Sequence, residues 1–207
     1  MVKTNKSLEA KQKILAGLIR LAYKEGIDSV TYQKVADEVG LSYYLVHYYF
    51  AKGTNTLLDE GIAYVGKRAQ EYISNYISNV AKESNVVMIH QYILGTLNWG
   101  RDFPDESSFW AYYYHLCSRR SDMAKFNQEV TRVAQKRVER LIREDIGSEH
   151  FPFQNNIPEL AEDLHTYIVG ATIKYLTNRN DQQFDHVVKQ SWRFAEKLFT
   201  LHARKFV

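Results

Sequence analysis

A chain of 207 residues, 45% hydrophobic and 25% charged, has the composition of one or two folded domains and not that of a disordered or collagen-like segment. Its one cysteine, Cys117, excludes an intrachain disulfide framework and any zinc site built from paired thiolates. No run approaches the roughly 18 apolar residues of a membrane span, and Met1 to Ala10 lacks the apolar core of a signal peptide. A cytoplasmic location is therefore expected. The formal charge of +3 is unevenly placed. Residues 1–52 carry eight basic side chains (Lys3, Lys6, Lys11, Lys13, Arg20, Lys24, Lys34, Lys52) against five acidic ones (Glu9, Glu25, Asp28, Asp37, Glu38), and the remainder is balanced. A small polyanion-binding module and a merely solvated face fit this distribution equally well.

Periodicity predicts helices throughout, with almost no strand signal. Ile14, Leu15, Leu18, Leu21 and Ala22 recur at three- and four-residue spacing, which gives a first helix from about Leu8 to Glu25, stopped by Gly26. Thr31 caps a short segment through Val39, ended by Gly40, and Ser42 caps another to about Tyr49 or Phe50. A long helix runs from about Thr54 to Val80, and Ser84 is the expected cap of the next, which reaches Arg101. Four more follow over Phe109 to Arg119, Asp122 to Ile146, Pro158 to Thr177 and Asp181 to Lys205, with a surface loop from Gly147 to Pro158. The result is an all-α chain of about nine helices without internal repeats.

Thr31 to Phe50, TYQKVADEVGLSYYLVHYYF, is the most informative stretch. Ala36 is small where two helices would cross, Gly40 suits the positive φ of a tight turn, and Val46 returns from the second helix to the shared core. This is the spacing of a helix-turn-helix. Tyr43, Tyr44, His47 and Tyr48 are left for the outer side of the second helix. That helix would be roughly 10 Å long, and the B-DNA major groove is about 12 Å wide. An αα-hairpin buried in a bundle is the plain alternative, but it has no use for four polar or aromatic side chains on its outside.

From about Glu9 to Leu58 the chain resembles the N-terminal domain of the TetR (tetracycline-repressor-like) transcriptional regulators. The matching residues are Ile14-Leu15, Leu21-Ala22, Glu25-Gly26, Thr31, Val35-Ala36, Val39-Gly40-Leu41-Ser42, and Tyr49-Phe50 before a basic residue and Leu57-Leu58. The nine-helix count resembles the family's whole chain. The resemblance implies a DNA-binding domain over 1–53, with helices two and three as the reader. It implies a ligand-binding and dimerisation domain over 54–207. Departures fall in the reader: Tyr44 and Leu45 stand where small residues are usual, His47 where a tyrosine is usual, and the basic residue arrives early as Lys52. The roles the chemistry still permits are Thr31, Gln33 and Ser42 at helix starts, Tyr48 and Tyr49 hydroxyls toward phosphate, and Lys52 as a point charge. Tyr43, Tyr44 and His47 are the expected base-side readers. Tyr49 fits the core equally well.

Two wide apolar stripes close the sequence. Leu164, Ile168, Ala171 and Tyr175 mark one helix, and Val188, Trp192, Ala195 and Phe199 the next. Paired across a two-fold axis they would form the four-helix interface of a homodimer; folded on themselves they would be an intramolecular core. The resemblance favours the dimer. Aromatic residues make up 14% of the chain and gather between Tyr92 and His115. Tyr92, Trp99, Phe103, Trp110, Tyr113 and Tyr114, with Thr96, Asn98, His115 and Tyr167 for orientation, are the expected pocket. Its ligand would be flat or apolar, with one or two hydrogen-bonding groups, and not a polyanion.

Catalytic signals are missing. The seven histidines show no metal-ligand spacing, and neither a nucleophile elbow nor a phosphate-cradling glycine loop occurs, so no metal or cofactor is expected. The sequence reads as a ligand-responsive DNA-binding regulator, most simply a repressor, gripping a palindromic operator on double-stranded DNA as a dimer. The rival is an all-α enzyme or small-molecule carrier using Trp99, Tyr113 and His115.

Overall fold

The computed structural model describes residues 2–50, 54–80, 87–146 and 156–204. Among the described residues the regular elements are nine α-helices and a single 3-10 turn, Ile27–Ser29. The helices are α1 Val2–Glu25, α2 Tyr32–Val39, α3 Tyr43–Tyr49, α4 Thr54–Val80, α5 Met88–Asp102, α6 Pro104–Arg119, α7 Ser121–Asp145, α8 Ile157–Leu176 and α9 Asp181–Arg204. The all-α class expected from periodicity is therefore found.

Boundaries differ from expectation where local chemistry was underweighted. α6 begins at Pro104, well before Phe109, because proline's fixed φ and missing N–H suit a first helical position. Asp105 and Glu106 then lie in the first turn, where carboxylates complement the helix dipole. The proposed cap Ser84, the loop over 147–155 and Lys52 lie outside the described residues.

The chain divides into two compact units, Met1–Arg68 with Phe103–Tyr113, and Ala69–Asp102 with Tyr114–Val207. The first half of α4 packs with α1 and α6: a Cβ on Gly61 would meet Leu18 at 2.7 Å and Phe109 at 3.2 Å, and one on Gly66 would meet Trp110 at 3.0 Å. Ile14, Leu18, Leu57, Ile62 and Phe109 are buried in this first unit, and Tyr113 is completely so. Arg68 of α4 pairs with the buried Glu106 of α6, its guanidinium over the rings of Tyr64 and Phe103.

The second unit has its core between α4, α5, α7, α8 and α9, with Ile77, Ile93, Leu141, Leu164 and Phe199 among its buried residues. Asp145, at the end of α7, accepts hydrogen bonds from the backbone N–H groups of Met88 and Ile89, both at 2.8 Å. Two of the four orphan donors at the start of α5 are thus satisfied by a residue 56 or more positions away.

The apolar stripes of the last two helices pack within the chain. Leu164, Ile168, Ala171, Tyr175, Ala195 and Phe199, expected at a dimer interface, are buried within their own chain, with Leu164, Ala195 and Phe199 at 0% exposure. The physical reason is that α8 and α9 present these faces to each other and to α5 and α7, so the stripe is wide enough for two neighbours in one chain. Val188 and Trp192 are half-buried, and the Trp192 ring lies 4.7 Å from that of His90.

Candidate nucleic-acid interface and ligand site

The helix-turn-helix is built by local signals. Thr31 Oγ1 accepts from the N–H of Lys34 at 3.3 Å, and Ser42 Oγ accepts from the N–H of Leu45 at 3.3 Å, so each hydroxyl caps the helix it precedes. Gly40 takes φ 63°, ψ 41°, the left-handed conformation that ends α2 and that any side chain would strain. Val35, Ala36 and Val46 are fully buried between the helices. The Tyr32 hydroxyl donates to the carbonyl of Phe50, fastening α2 to the end of α3.

What remains outside is aromatic. Tyr43, Tyr44 and Tyr48 are 40%, 83% and 76% exposed. The Tyr43 and His47 rings stack at 5.8 Å with planes 28° apart, and Tyr32 sets its ring edge-on to His47 at 6.0 Å. Tyr49 is half-buried and packs against Tyr48. The structure therefore gathers Tyr43, Tyr44, His47 and Tyr48 on one outer surface, with Thr31, Gln33 and Ser42 also exposed. Gln33 is less free than its sequence position implied, because its amide donates to Asp37 at 2.8 Å.

Much of the basic excess is neutralised locally. Arg20 and Lys24 of α1 both bond Glu38 of α2, at 3.1 and 3.3 Å, and Lys34 bonds Glu25 at 2.8 Å. The hydrogen bond from Arg20, and then that from Lys24, hold the Glu38 carboxyl below the ordinary range of its kind. These pairs tie α1 to α2 and stiffen the platform. Among the described residues Lys6 and Lys13 have no ion-pair partner, so they remain available to a polyanion.

The aromatic residues expected to line one pocket are divided. Phe103, Trp110 and Tyr113 belong to the first unit, where Tyr113 is a core residue and the Trp110 ring lies 4.6 Å from it. Tyr92, Thr96, Asn98, Trp99, Tyr114, His115 and Tyr167 belong to the second. His115 is exposed. Asn98 and Trp99 are buried, and Tyr167 stacks on Phe194 at 3.9 Å, with planes 6° apart.

Within the second unit Tyr92 of α5 and His165 of α8 come together. The Tyr92 hydroxyl lies 3.3 Å from His165 Nδ1. Burial pushes the Tyr92 hydroxyl up to about 12, against the charge of Arg137, which acts in the opposite direction. Burial, and then the charge of Arg137, hold His165 below 6.5, so its imidazole is neutral near pH 7. Sequence reasoning passed over His165. The one available signal was its position next to the fully buried Leu164.

A cavity of about 260 Å³ in the first unit is lined by Ala16, Ile19, Arg20, Tyr64, Arg68 and Phe103, together with Asp105 and Glu106. Its walls carry two guanidinium and two carboxylate groups, so it offers a ligand little net field. Among the described residues no group of His, Cys, Asp and Glu is arranged to hold a metal ion, and no helix is long and apolar enough to cross a membrane.

No family model matches the sequence, and no curated protein matches it. Solved structures do. A TetR transcription regulator from Haloarcula marismortui superposes with a TM-score of 0.75 at 17% identity, over 91% of this chain and 97% of that one. A transcriptional regulator from Rhodococcus sp. gives 0.69 at 11% identity, over 90% and 96%. A candidate transcriptional regulator from Saccharomonospora viridis, solved in complex with choline, gives 0.70 at 19% identity, over 91% and 96%. These similarities span nearly the full length of each neighbour and establish a TetR-like fold.

Proposed function

We propose that this chain, which has the TetR-like fold, is a DNA-binding transcriptional regulator and not an enzyme. The observation that carries the reading is α3: an exposed aromatic surface on a helix about 10 Å long, capped at its start by Ser42 and pinned to α2 by Tyr32. Such an element costs little to order when it enters a major groove. Tyr48, Tyr49, Thr31 and Ser42 supply hydroxyls toward phosphate, Lys52 supplies a point charge, and Tyr43, Tyr44 and His47 face the bases. Residues 1–53 are the reading module, and 54–207 hold effector and partner.

The working form is a homodimer on a palindromic operator, with half-site centres about 34–36 Å apart or a multiple of that. Support for a partner surface comes from α8, where Gly170 is exposed with no heavy atom within 4 Å of a Cβ position and Ile173 is 39% exposed. There Thr166, Tyr167, Gly170 and Lys174 of α8 border an open depression of about 410 Å³ with Val187 and Gln190 of α9. A small molecule with a flat or apolar body binds the second unit and favours a dimer that no longer fits the operator. Repression then falls by the effector's differential affinity for the two states. The solved complex of the Saccharomonospora viridis neighbour with choline supports the capacity of this fold to take a small molecule.

Selection of bound fragments from a genomic DNA pool tests the reading. A palindromic site should be enriched by the native protein and lost with Tyr44→Ala, whose unfolding temperature should stay unchanged. Failure to enrich any fragment at moderate salt would refute it.

A further inference from the structure

We propose that α3 reads its operator through the 5-methyl groups of thymine, with Tyr44 as the specificity-determining residue, so that each half-site carries thymines in the major groove. This rests on the reading of α3 as the DNA reader, and it names the base chemistry that the reader takes. The seven residues of α3, Tyr43–Tyr49, include no Arg, Lys, Asn, Gln, Asp or Glu. The paired hydrogen bonds that distinguish bases need those side chains: Arg or Lys for guanine, Asn or Gln for adenine, and a carboxylate for cytosine. On the neighbouring α2 such groups are engaged, because the Gln33 amide donates to Asp37 at 2.8 Å and the Lys34 ammonium bonds Glu25 at 2.8 Å. His47 and the tyrosine hydroxyls offer single hydrogen bonds, which fit several base edges alike. The surface left for discrimination is the face and edge of aromatic rings, and the apolar group that base pairs present in the major groove is the thymine methyl.

The packing of the rings decides which of them reaches out. Tyr43 and His47 stack at 5.8 Å, and Tyr32 closes on both, at 6.5 Å from Tyr43 and 6.0 Å from His47. This cluster of three rings leaves Tyr43 40% exposed. Tyr44 sets its ring at 80° to that of Tyr43, with centroids 5.9 Å apart, and is still 83% exposed. Its ring is braced by Tyr43 and otherwise open, so little freedom is lost when the open side takes a partner. Base pairs are stacked about 3.4 Å apart, so rings 5.9 Å apart serve base pairs one or two steps from each other. Burying one methyl is worth about a fourfold change in affinity. A two-fold dimer repeats each contact, so one methyl in each half-site gives about fifteenfold.

The test starts from selection of fragments by the full chain out of a random-sequence DNA pool, followed by affinity measurements on the selected site. Its half-sites should contain thymines at fixed positions. Replacing those thymines with deoxyuridine removes the methyl and keeps the base pair and its O4 acceptor, and affinity should fall about fifteenfold or more. Tyr44→Phe should keep the preference for thymine over deoxyuridine, because the ring and not its hydroxyl meets the methyl. Tyr44→Ala, held on DNA by phosphate contacts at low salt, should bind both sites alike, with an unchanged unfolding temperature. Equal affinity of the native protein for thymine and deoxyuridine sites, selected half-sites without thymine, or a deoxyuridine penalty of the same size in Tyr44→Ala would overturn the proposal. Enrichment of a site that is insensitive to deoxyuridine refutes this inference alone, whereas failure to enrich any fragment refutes the regulator reading and this inference with it.

Discussion

The crossing of α1 over α2 holds the reading helix in place, and one glycine sets its spacing. A Cβ on Gly17 would lie 2.1 Å from Val39 Cγ1, but 3.6 Å from Val39 Cβ and 3.7 Å from Glu38 Cγ. Ordinary carbon contacts are about 3.5–4.0 Å, so a single methyl obstructs the site. Val39 is 4% exposed and β-branched within a helix, so its χ1 is held in one well and the methyl cannot swing aside. Two effects then oppose each other in Gly17→Ala. Relief of glycine's helix penalty contributes about 1 kcal/mol, and overpacking costs about 1–3 kcal/mol. The contact would be well inside van der Waals distance against a stiff side chain, so the clash wins, with net destabilisation of about 1 kcal/mol. Val39→Ala removes the obstructing methyl and leaves the new Cβ at ordinary contact distance. In that background Gly17→Ala should stabilise by about 0.5–1 kcal/mol, and the coupling energy of the cycle should be near 2 kcal/mol. Urea unfolding of the four proteins, with hydrogen exchange reporting α1 and α2 separately from the second unit, measures it. A stabilising Gly17→Ala in the native background, or one sign in both backgrounds, would refute the reasoning.

Thr31→Ala and Ser42→Ala should each cost about 1 kcal/mol through loss of a cap, read as a lower unfolding temperature of the first unit. Asp145→Ala leaves two N–H groups at the start of α5 unpaired and should cost about 1–3 kcal/mol, with faster amide exchange at Met88 and Ile89. The folded protein holds His165 below 6.5, whereas the unfolded chain binds that proton at its ordinary value. Below about pH 6.5 the unfolded state therefore binds more protons, and stability should fall as pH drops through that window. His165→Asn should flatten the profile in thermal unfolding between pH 7.5 and 5.5, and an unchanged slope would remove His165 as its source.

The sequence determined most of what is local. Helical periodicity, Gly26 and Gly40 as stops, Thr31 and Ser42 as caps, and the spacing of Ala36, Gly40 and Val46 were legible because each acts over three or four residues of backbone geometry. The exposed aromatic surface of α3 followed from the same helix period. Pro104 was equally local and was underweighted as a helix start. What only the tertiary structure decided depends on which apolar face meets which. The stripes of α8 and α9 satisfy a dimer and an intramolecular core alike, and only the packing of α5 and α7 against them shows Leu164, Ile168 and Phe199 already covered within one chain. The recruitment of Phe109 and Tyr113 into the first unit comes from contacts about fifty residues apart, such as Gly61 with Phe109. No periodicity carries information over that distance. Nor could sequence single out His165: a histidine beside an apolar residue is ordinary on any helix, and its contact with Tyr92 exists only once α5 and α8 close together.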